Sequence, residues 1–303
     1  MKASRFARFS RCAVLTGALC TLGLGALQPV RAESVLERIG RTGRLNTLVM
    51  NDDLPYTSQQ GNAYAGLAME FALEIQQELS DFLGKPVTLT PQPTNTVEDG
   101  IAAIAAGNVD LACGVSFSWG RSMFIDYTLP FALSGTRLLT ASTNNGTPDA
   151  LAGQSVGVVN NSVAAQTIAQ AAPGANLQRF DNPSAALTAL KSGQVQLLAG
   201  DSLWLLATRQ AAAPSGNVVP AVPYNRSGVG CTVPEDNSDL LDLSNLAIGR
   251  LMQAYINDDP KAQNRINRWV GPGSSVNLPT SAIKTYFTNV LLTAALLCTH
   301  RPT

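Results

Sequence analysis

Two spacings of apolar residues alternate along the chain. Residues 45–50 and 109–115 are short apolar runs of strand length. Residues 67–83 carry their apolar side chains at helical intervals and end at Gly84, a helix stop. The same reading predicts strands at 87–89, 155–159, 177–180, 195–199 and 229–233. It predicts helices at 101–106, 162–170, 183–191, 203–210 and 240–256, the last started by Asn237 or Ser238. Residues 137–141 read as the segment that leaves the first series, ahead of the turn-rich "STNNGTPDA" at 142–150, and "AAAPSGN" at 211–217 reads as a loop. Residues 283–297 form a last apolar helix, short for a membrane span and suited to core packing.

One unit occurs twice. "IAAIAAGNVDLACG" (101–114) aligns without a gap with "LTALKSGQVQLLAG" (187–200). Each is a helix stopped by glycine, Gly107 or Gly193, then Val-x-Leu entering an apolar strand. Strands alternating with helices predict an α/β fold. The arrangement expected is a first lobe at 33–140, a second at 141–226, and a return to the first at 227–303. The two crossings, near 135–142 and 222–230, would act as a hinge.

Composition agrees with that size. The chain has 303 residues, 45% hydrophobic and 14% charged, enough for two cores. Residues 1–32 read as a secretory signal peptide. They have a basic start (Lys2, Arg5, Arg8, Arg11), an apolar stretch at 13–27, and Val30-Arg31-Ala32 as the cleavage site. Without that leader 16 basic side chains face 21 acidic ones, a net charge of about −5. A mildly acidic exported chain with no basic stripe is not a nucleic-acid binder. His300 is the single histidine, which removes imidazole-based nucleophile systems, and no His/Cys/Asp/Glu cluster has metal spacing. No cofactor is expected, the chain is read as a monomer, and an enzyme is not the favoured class.

Candidate chemistry sits at the strand ends. In open α/β sheets ligands bind outside the carboxyl ends of the strands. One lobe carries Ser116, Ser118 and Arg121 there, and the other carries Asp201 and Ser162. An arginine fork with helix-start N–H groups suits a carboxylate. A facing aspartate suits an ammonium, and one small molecule with both groups is an amino acid. Structural readings stay open beside this one. Arg121 could pair with Asp126, Asp201 could cap the following helix, and Trp119 and Trp204 could be packing rather than opposite cleft walls.

Several stretches, in order, resemble the periplasmic family 3 solute-binding proteins of amino-acid ABC transporters. They are "GLAMEFALEIQQELS" (66–80), "SFSWGR" (116–121), "DYTLPF" (126–131), "LAGQSVGVVNNSVAAQ" (151–166) and "SGQVQLLAGD" (192–201). The resemblance covers roughly residues 40–272 and implies the two-lobed type II periplasmic binding fold. By it Arg121 would clamp a ligand α-carboxylate, with Ser116, Ser118 and Ser162 adding donors. Asp201 would take the α-ammonium. Departures lie around the side-chain pocket. Leu67 stands where phenylalanine is usual, Ala68 replaces the helix-start aspartate, and Asn160-Asn161 replaces Ala-Gly. "MNDDLPY" leaves Tyr56, with Asp53, where a tyrosine precedes Pro-Phe. "ACGVSFSW", "SGTRLLT", "GTPDALAGQSVGVV" and "GDSLWL" are similar to a cyanobacterial orphan group of the family, which has no transporter of its own and accompanies a secreted glycine-rich protein. The partners implied are transporter membrane subunits or that secreted protein. The alternatives are an interaction protein holding a peptide in its cleft and a dehydratase-like enzyme.

Cys113, Cys231 and Cys298 remain after the leader, one pair and an odd thiol by count. Cys113 and Cys231 lie on strands expected to be neighbours, within the roughly 4.4–6.8 Å between Cα atoms that a bridge needs.

Overall fold

A computed structural model describes residues 33–298, without the side chains of Leu297 and Cys298. The signal-peptide reading, His300 and the expected free thiol of Cys298 lie outside the described residues and side chains.

The first sheet is built around parallel strands. α1 (Val35–Thr42) is absent from the sequence expectation, although its signals are local. Ser34 Oγ accepts from the Glu37 N–H and the Glu37 carboxylate accepts from the Ser34 N–H. Gly43, at φ +67°, ends it. β1 (Arg44–Met50) follows, then the hairpin β2 (Ser58–Gln60) and β3 (Ala63–Ala65), then α2 (Leu67–Leu83). β4 (Thr88–Thr94) pairs with β1 over seven residues and is an edge strand. That explains why the pattern shows only its first residues: an edge tolerates Pro91 and Pro93, whose missing N–H groups need no partner. α3 (Val97–Ala105) leads to β5 (Leu111–Ser116), then β6 (Ile125–Tyr127) and β7 (Ala132–Ser134). Asp110 fixes the start of β5. It is fully buried, accepts from the Asn46 N–H at 2.7 Å and pairs with Arg38.

β8 (Thr136–Thr140) belongs to the second sheet, not to the end of the first lobe as its sequence suggests. It runs antiparallel to β11 (Leu197–Asp201) and to β12 (Asn217–Val219). The crossing therefore falls at Gly135, the first residue of the stretch expected for it and five residues before the expected end of the first lobe at 140. That segment is a loop within the second lobe. β9 (Ser155–Val159), α4 (Val163–Ala171), β10 (Asn176–Phe180), α5 (Pro183–Lys191) and α6 (Ser202–Ala212) complete it, with strand order β10-β9-β11-β8-β12.

β13 (Ser227–Pro234) returns to the first sheet, antiparallel to β5, β6 and β7. α7 (Ser238–Ile256), α8 (Pro260–Val270) and α9 (Thr280–Cys298) close the chain. Asn237 precedes α7, but its side chain does not cap that helix; it accepts from the Val35 N–H and ties α1 to α7. α8 is a further helix that the apolar pattern hides, because only Ala262, Ile266 and Val270 of its eleven residues are buried.

The larger core joins Phe71, Ile75 and Leu79 of α2 to Ile248 and Tyr255 of α7 and Ile283 and Phe287 of α9. Phe71 stacks on Phe131 at 4.3 Å. α9 therefore packs as core, and no helix among the described residues is long and apolar enough to cross a membrane.

Cys113 and Cys231 form a disulfide. Their Cα atoms lie 3.8 Å apart, closer than the usual range, where the register between β5 and β13 shifts at Gly230/Cys231.

Candidate functional site

The carboxyl ends of β1, β5, β9 and β11 open on one cleft. Met50 ends β1 and Asp53 lies beyond it, Ser116 and Arg121 lie at and beyond the end of β5, Ser162 beyond β9, and Asp201 at the end of β11. Leu48, Val97 and Ile101 from the first lobe and Val163 from the second add apolar lining.

Asp201 is held by donors. It is the N-cap of α6, and its Oδ1 accepts from the N–H groups of Leu203 (2.9 Å) and Trp204 (3.1 Å). The same oxygen accepts from the Tyr56 hydroxyl at 3.0 Å. Burial pushes the Asp201 carboxyl up, and the bonds from Ser134, Trp204, Tyr56 and Leu203 pull it back. Capping and ligand contact are therefore both open to this side chain.

Tyr56 reaches Asp201 because two glycines let it. A Cβ on Gly66, at φ +147°, would fall 1.9 Å from the Tyr56 carbonyl oxygen. One on Gly114, at φ +91°, would fall 3.0 Å from the Tyr56 Cβ. The ring is 2% exposed, and burial, then the charges of Asp201 and Asp53, raise its hydroxyl well above the ordinary value.

Arg121 opens a short 3₁₀ turn (Arg121–Met123) after β5. It makes no ion pair among the described residues, Asp126 included. Its Nη2 donates to the Asn161 carbonyl at 2.7 Å and its Nη1 to the Ser116 carbonyl at 3.5 Å. Burial lowers the guanidinium from its ordinary value, and Tyr127 offsets part of that. Asn161, at φ +54°, also donates from Nδ2 to Glu98 Oε2 at 2.7 Å. Trp204 Nε1 donates to the Asp52 carbonyl at 2.9 Å. With Tyr56–Asp201 these bonds join the two walls, so the cleft is in a closed arrangement.

Ser162 lines the cleft, but its hydroxyl is committed to its own helix. It donates to the Val159 carbonyl (2.7 Å) and accepts from the Ala165 N–H (3.1 Å). Three expected residues do not line the cavity. Leu67 opens α2 pointing inward and is 1% exposed among the core residues. Ser118 supports the turn, its carbonyl accepting from Arg121 and Ser122. Trp119 stands in solvent, 82% exposed and edge-on to Phe117 at 4.9 Å, so it faces Trp204 across nothing.

Asp53 and Asn161 are the residues whose importance the sequence understates. Their signals are present in retrospect: an acid three residues after an apolar strand, and an Asn-Asn pair where a turn must go left-handed.

Two sheets sharing a cleft at their strand ends define a solute receptor of the type II periplasmic binding fold. The chain belongs to the bacterial extracellular solute-binding proteins, family 3, which it matches over residues 45–271. It is 28% identical over 235 residues to the virulence sensor protein BvgS of Bordetella pertussis, covering 74% of this chain and 17% of that protein. The chain thus spans about a sixth of that relative's length. It is 25% identical to the L-cystine-binding protein TcyJ of Escherichia coli, over 79% of this chain and 87% of TcyJ. Among solved structures it is similar to the solute receptor for L-cysteine of Neisseria gonorrhoeae. That match has a TM-score of 0.67 and 22% identity, over 78% of this chain and 94% of the other. It is likewise similar to an ancestral arginine-binding protein bound to glutamine. Here the TM-score is 0.65 and the identity 22%, over 76% and 98% of the two chains. At these identities the structural matches show the fold.

Proposed function

We propose that the cleft binds a small α-amino acid, with Arg121 taking the carboxylate and Asp201 the ammonium. The observation that carries this reading is a guanidinium with no ion-pair partner among the described residues and a half-buried carboxylate on opposite walls of one cavity. Two features support the carboxylate end. First-turn N–H groups of a helix have no intrahelical acceptor and favour negative charge. Val163 and Ala164, in the first turn of α4, line the cavity beside the Asn161 carbonyl that Arg121 touches. Ser116 lies on the same side.

Closure follows from the same geometry. A ligand bonded to Arg121 and Asp201 at once would reinforce the bonds that already bridge the walls. The family relation gives this role a setting outside the cytoplasm, with transporter membrane subunits as the partner receiving the solute. The test is a thermal-shift screen of the common amino acids and of simple carboxylates. A ligand at a thousand times its dissociation constant adds about 4 kcal/mol, a rise of roughly 8–16 °C for a chain of this size. If no amino acid moves the melting temperature, the reading fails.

A further inference from the structure

A second carboxylate faces the cleft beside the groups already described. Asp53 lines the cavity from the first lobe and Asp201 from the second. The loop that carries Asp53 is tied to the start of α6 on both sides of that residue. The Asp52 carbonyl accepts from Trp204 Nε1 at 2.9 Å, and the Tyr56 hydroxyl donates to Asp201 Oδ1 at 3.0 Å. Within the loop the Asp53 carbonyl accepts from the Tyr56 and Thr57 N–H groups at 2.8 and 3.1 Å, which fixes its backbone. Among the described residues that line the cleft, only Asp53, Tyr56, Arg121 and Asp201 titrate. Arg121 spends its bonds on the Asn161 and Ser116 carbonyls, and Asp53 makes no ion pair among the described residues. Asp52, next to it in the chain, faces solvent. Two enclosed carboxylates with no cation between them do not both ionise, because each charge raises the cost of the other. Burial, then the charge of Asp201, pushes the Asp53 carboxyl well above its ordinary value, and burial pushes Asp201 up as well.

We propose that Asp53 and Asp201 share one proton across the cleft, and that the ammonium of an entering solute replaces it, so that binding releases a proton to water. The exchange rests on the reading of Asp201 given above. The titration belongs to the pair. The donors on Asp201 favour its ionised form, with the Leu203 and Trp204 N–H groups and the Tyr56 hydroxyl all on one oxygen, and so bias the proton towards Asp53. An ammonium seated against Asp201 supplies the positive charge that the proton supplied, and Asp53 then ionises. Binding is therefore strongest above the raised value of the pair. It weakens by about tenfold for each pH unit below that value, down towards the ordinary carboxylate range.

The experiment has two arms, both on the whole protein at about pH 6, where ordinary Asp and Glu side chains are largely ionised. The first needs no solute. Infrared difference spectra of the natural protein against Asp53→Asn should show the carbonyl stretch of a protonated carboxyl group that the variant lacks. Identical spectra in that region overturn the shared proton. The second arm is titration calorimetry with the amino acid that raises the melting temperature most in the thermal-shift screen, run in MES and in bis-Tris buffer. The binding heat of the natural protein should differ between the two buffers by the amount that release of up to one proton per solute requires. Asp53→Asn should show equal heats, and its affinity should stay level as pH falls while that of the natural protein drops. Binding with equal heats in both buffers by the natural protein overturns the exchange and leaves the amino-acid reading intact. If no amino acid binds, the exchange falls with that reading. The two-buffer comparison on the natural protein decides the matter even if the variant does not fold.

Discussion

Replacing both bridged cysteines, Cys113→Ala with Cys231→Ala, should cost stability on a scale that can be worked out. The bridge spans 118 residues of sequence. In the chain-entropy account a loop of that length restrains the unfolded chain by about 5 kcal/mol, and measured losses for native bridges run at about 2–5 kcal/mol. Cys231 is fully buried and Cys113 lines the cleft, so loss of the two sulfurs adds about 1 kcal/mol of packing defect. For a domain of this size each kcal/mol moves the midpoint by about 2–4 °C, so a fall of roughly 6–24 °C is expected. The assay is thermal unfolding followed by circular dichroism, for the variant and for the natural sequence with and without a reducing agent. Reduced natural protein should melt near the variant. Thiol counting on a denatured, unreduced chain beginning at Glu33 should find one free cysteine, Cys298. A shift under about 2 °C, or three free thiols, would refute the reasoning.

Other outcomes follow from the same structure. Tyr56→Phe removes the hydroxyl that bridges to Asp201 and should lower the midpoint by about 2–4 °C, near 1 kcal/mol, in a melting experiment. Gly66→Ala places a methyl group on the Tyr56 carbonyl and should cost more than about 3 kcal/mol; near-normal stability in a denaturant titration would show that the backbone there is not constrained. Asp53 gives a pH signature. Its folded-state value is raised, so its contribution to unliganded stability is full below the ordinary 3.8 and is lost as pH rises through the raised value. Unliganded Asp53→Asn should therefore melt higher than the natural protein at pH 7, with the gap narrowing towards pH 4; a variant that melts lower at pH 7 contradicts this. Arg265 joins Glu70 (2.9 Å) and Glu74 (2.6 Å), and Glu70 also accepts from Trp269 Nε1. Arg265→Ala leaves both acids uncompensated and should cost about 1–3 kcal/mol by the same denaturant titration.

Much of the architecture was legible because burial writes a period into the chain. α2 keeps the expected bounds, since its inward face carries Phe71, Ile75 and Leu79 at helical spacing and Gly84 ends it in a left-handed turn. The elements that escaped lack such a face. α8 buries three small contact points, and β4 reads as a strand only over its first residues because its prolines are permitted only by its edge position, which depends on tertiary pairing. β8 was misplaced for a related reason. A strand that crosses between sheets has the same apolar pattern in either, and only its pairing with Leu197–Asp201 assigns it.

The cleft was legible in its charged groups and illegible in its walls. Arg121, Ser116, Ser162, Tyr56 and Asp201 converge because strand ends converge in this topology. Trp119 and Leu67 fail to join them because direction is set by the local backbone. The 3₁₀ turn carries Trp119 outward, and the Gly66 cap turns Leu67 into the core. Asp53 was the reverse case, an acid whose weight came only from where Asp201 stood.

The central claim is that one amino acid bridges Arg121 and Asp201 across the closed cleft. Its most direct test is titration calorimetry with the tightest amino acid found in the thermal screen, on the natural protein, Arg121→Ala and Asp201→Asn. Each substitution removes a charged hydrogen bond of about 1.5–3 kcal/mol and should weaken binding by roughly tenfold or more. Unchanged affinity in either variant, with the fold intact by circular dichroism, would contradict the account.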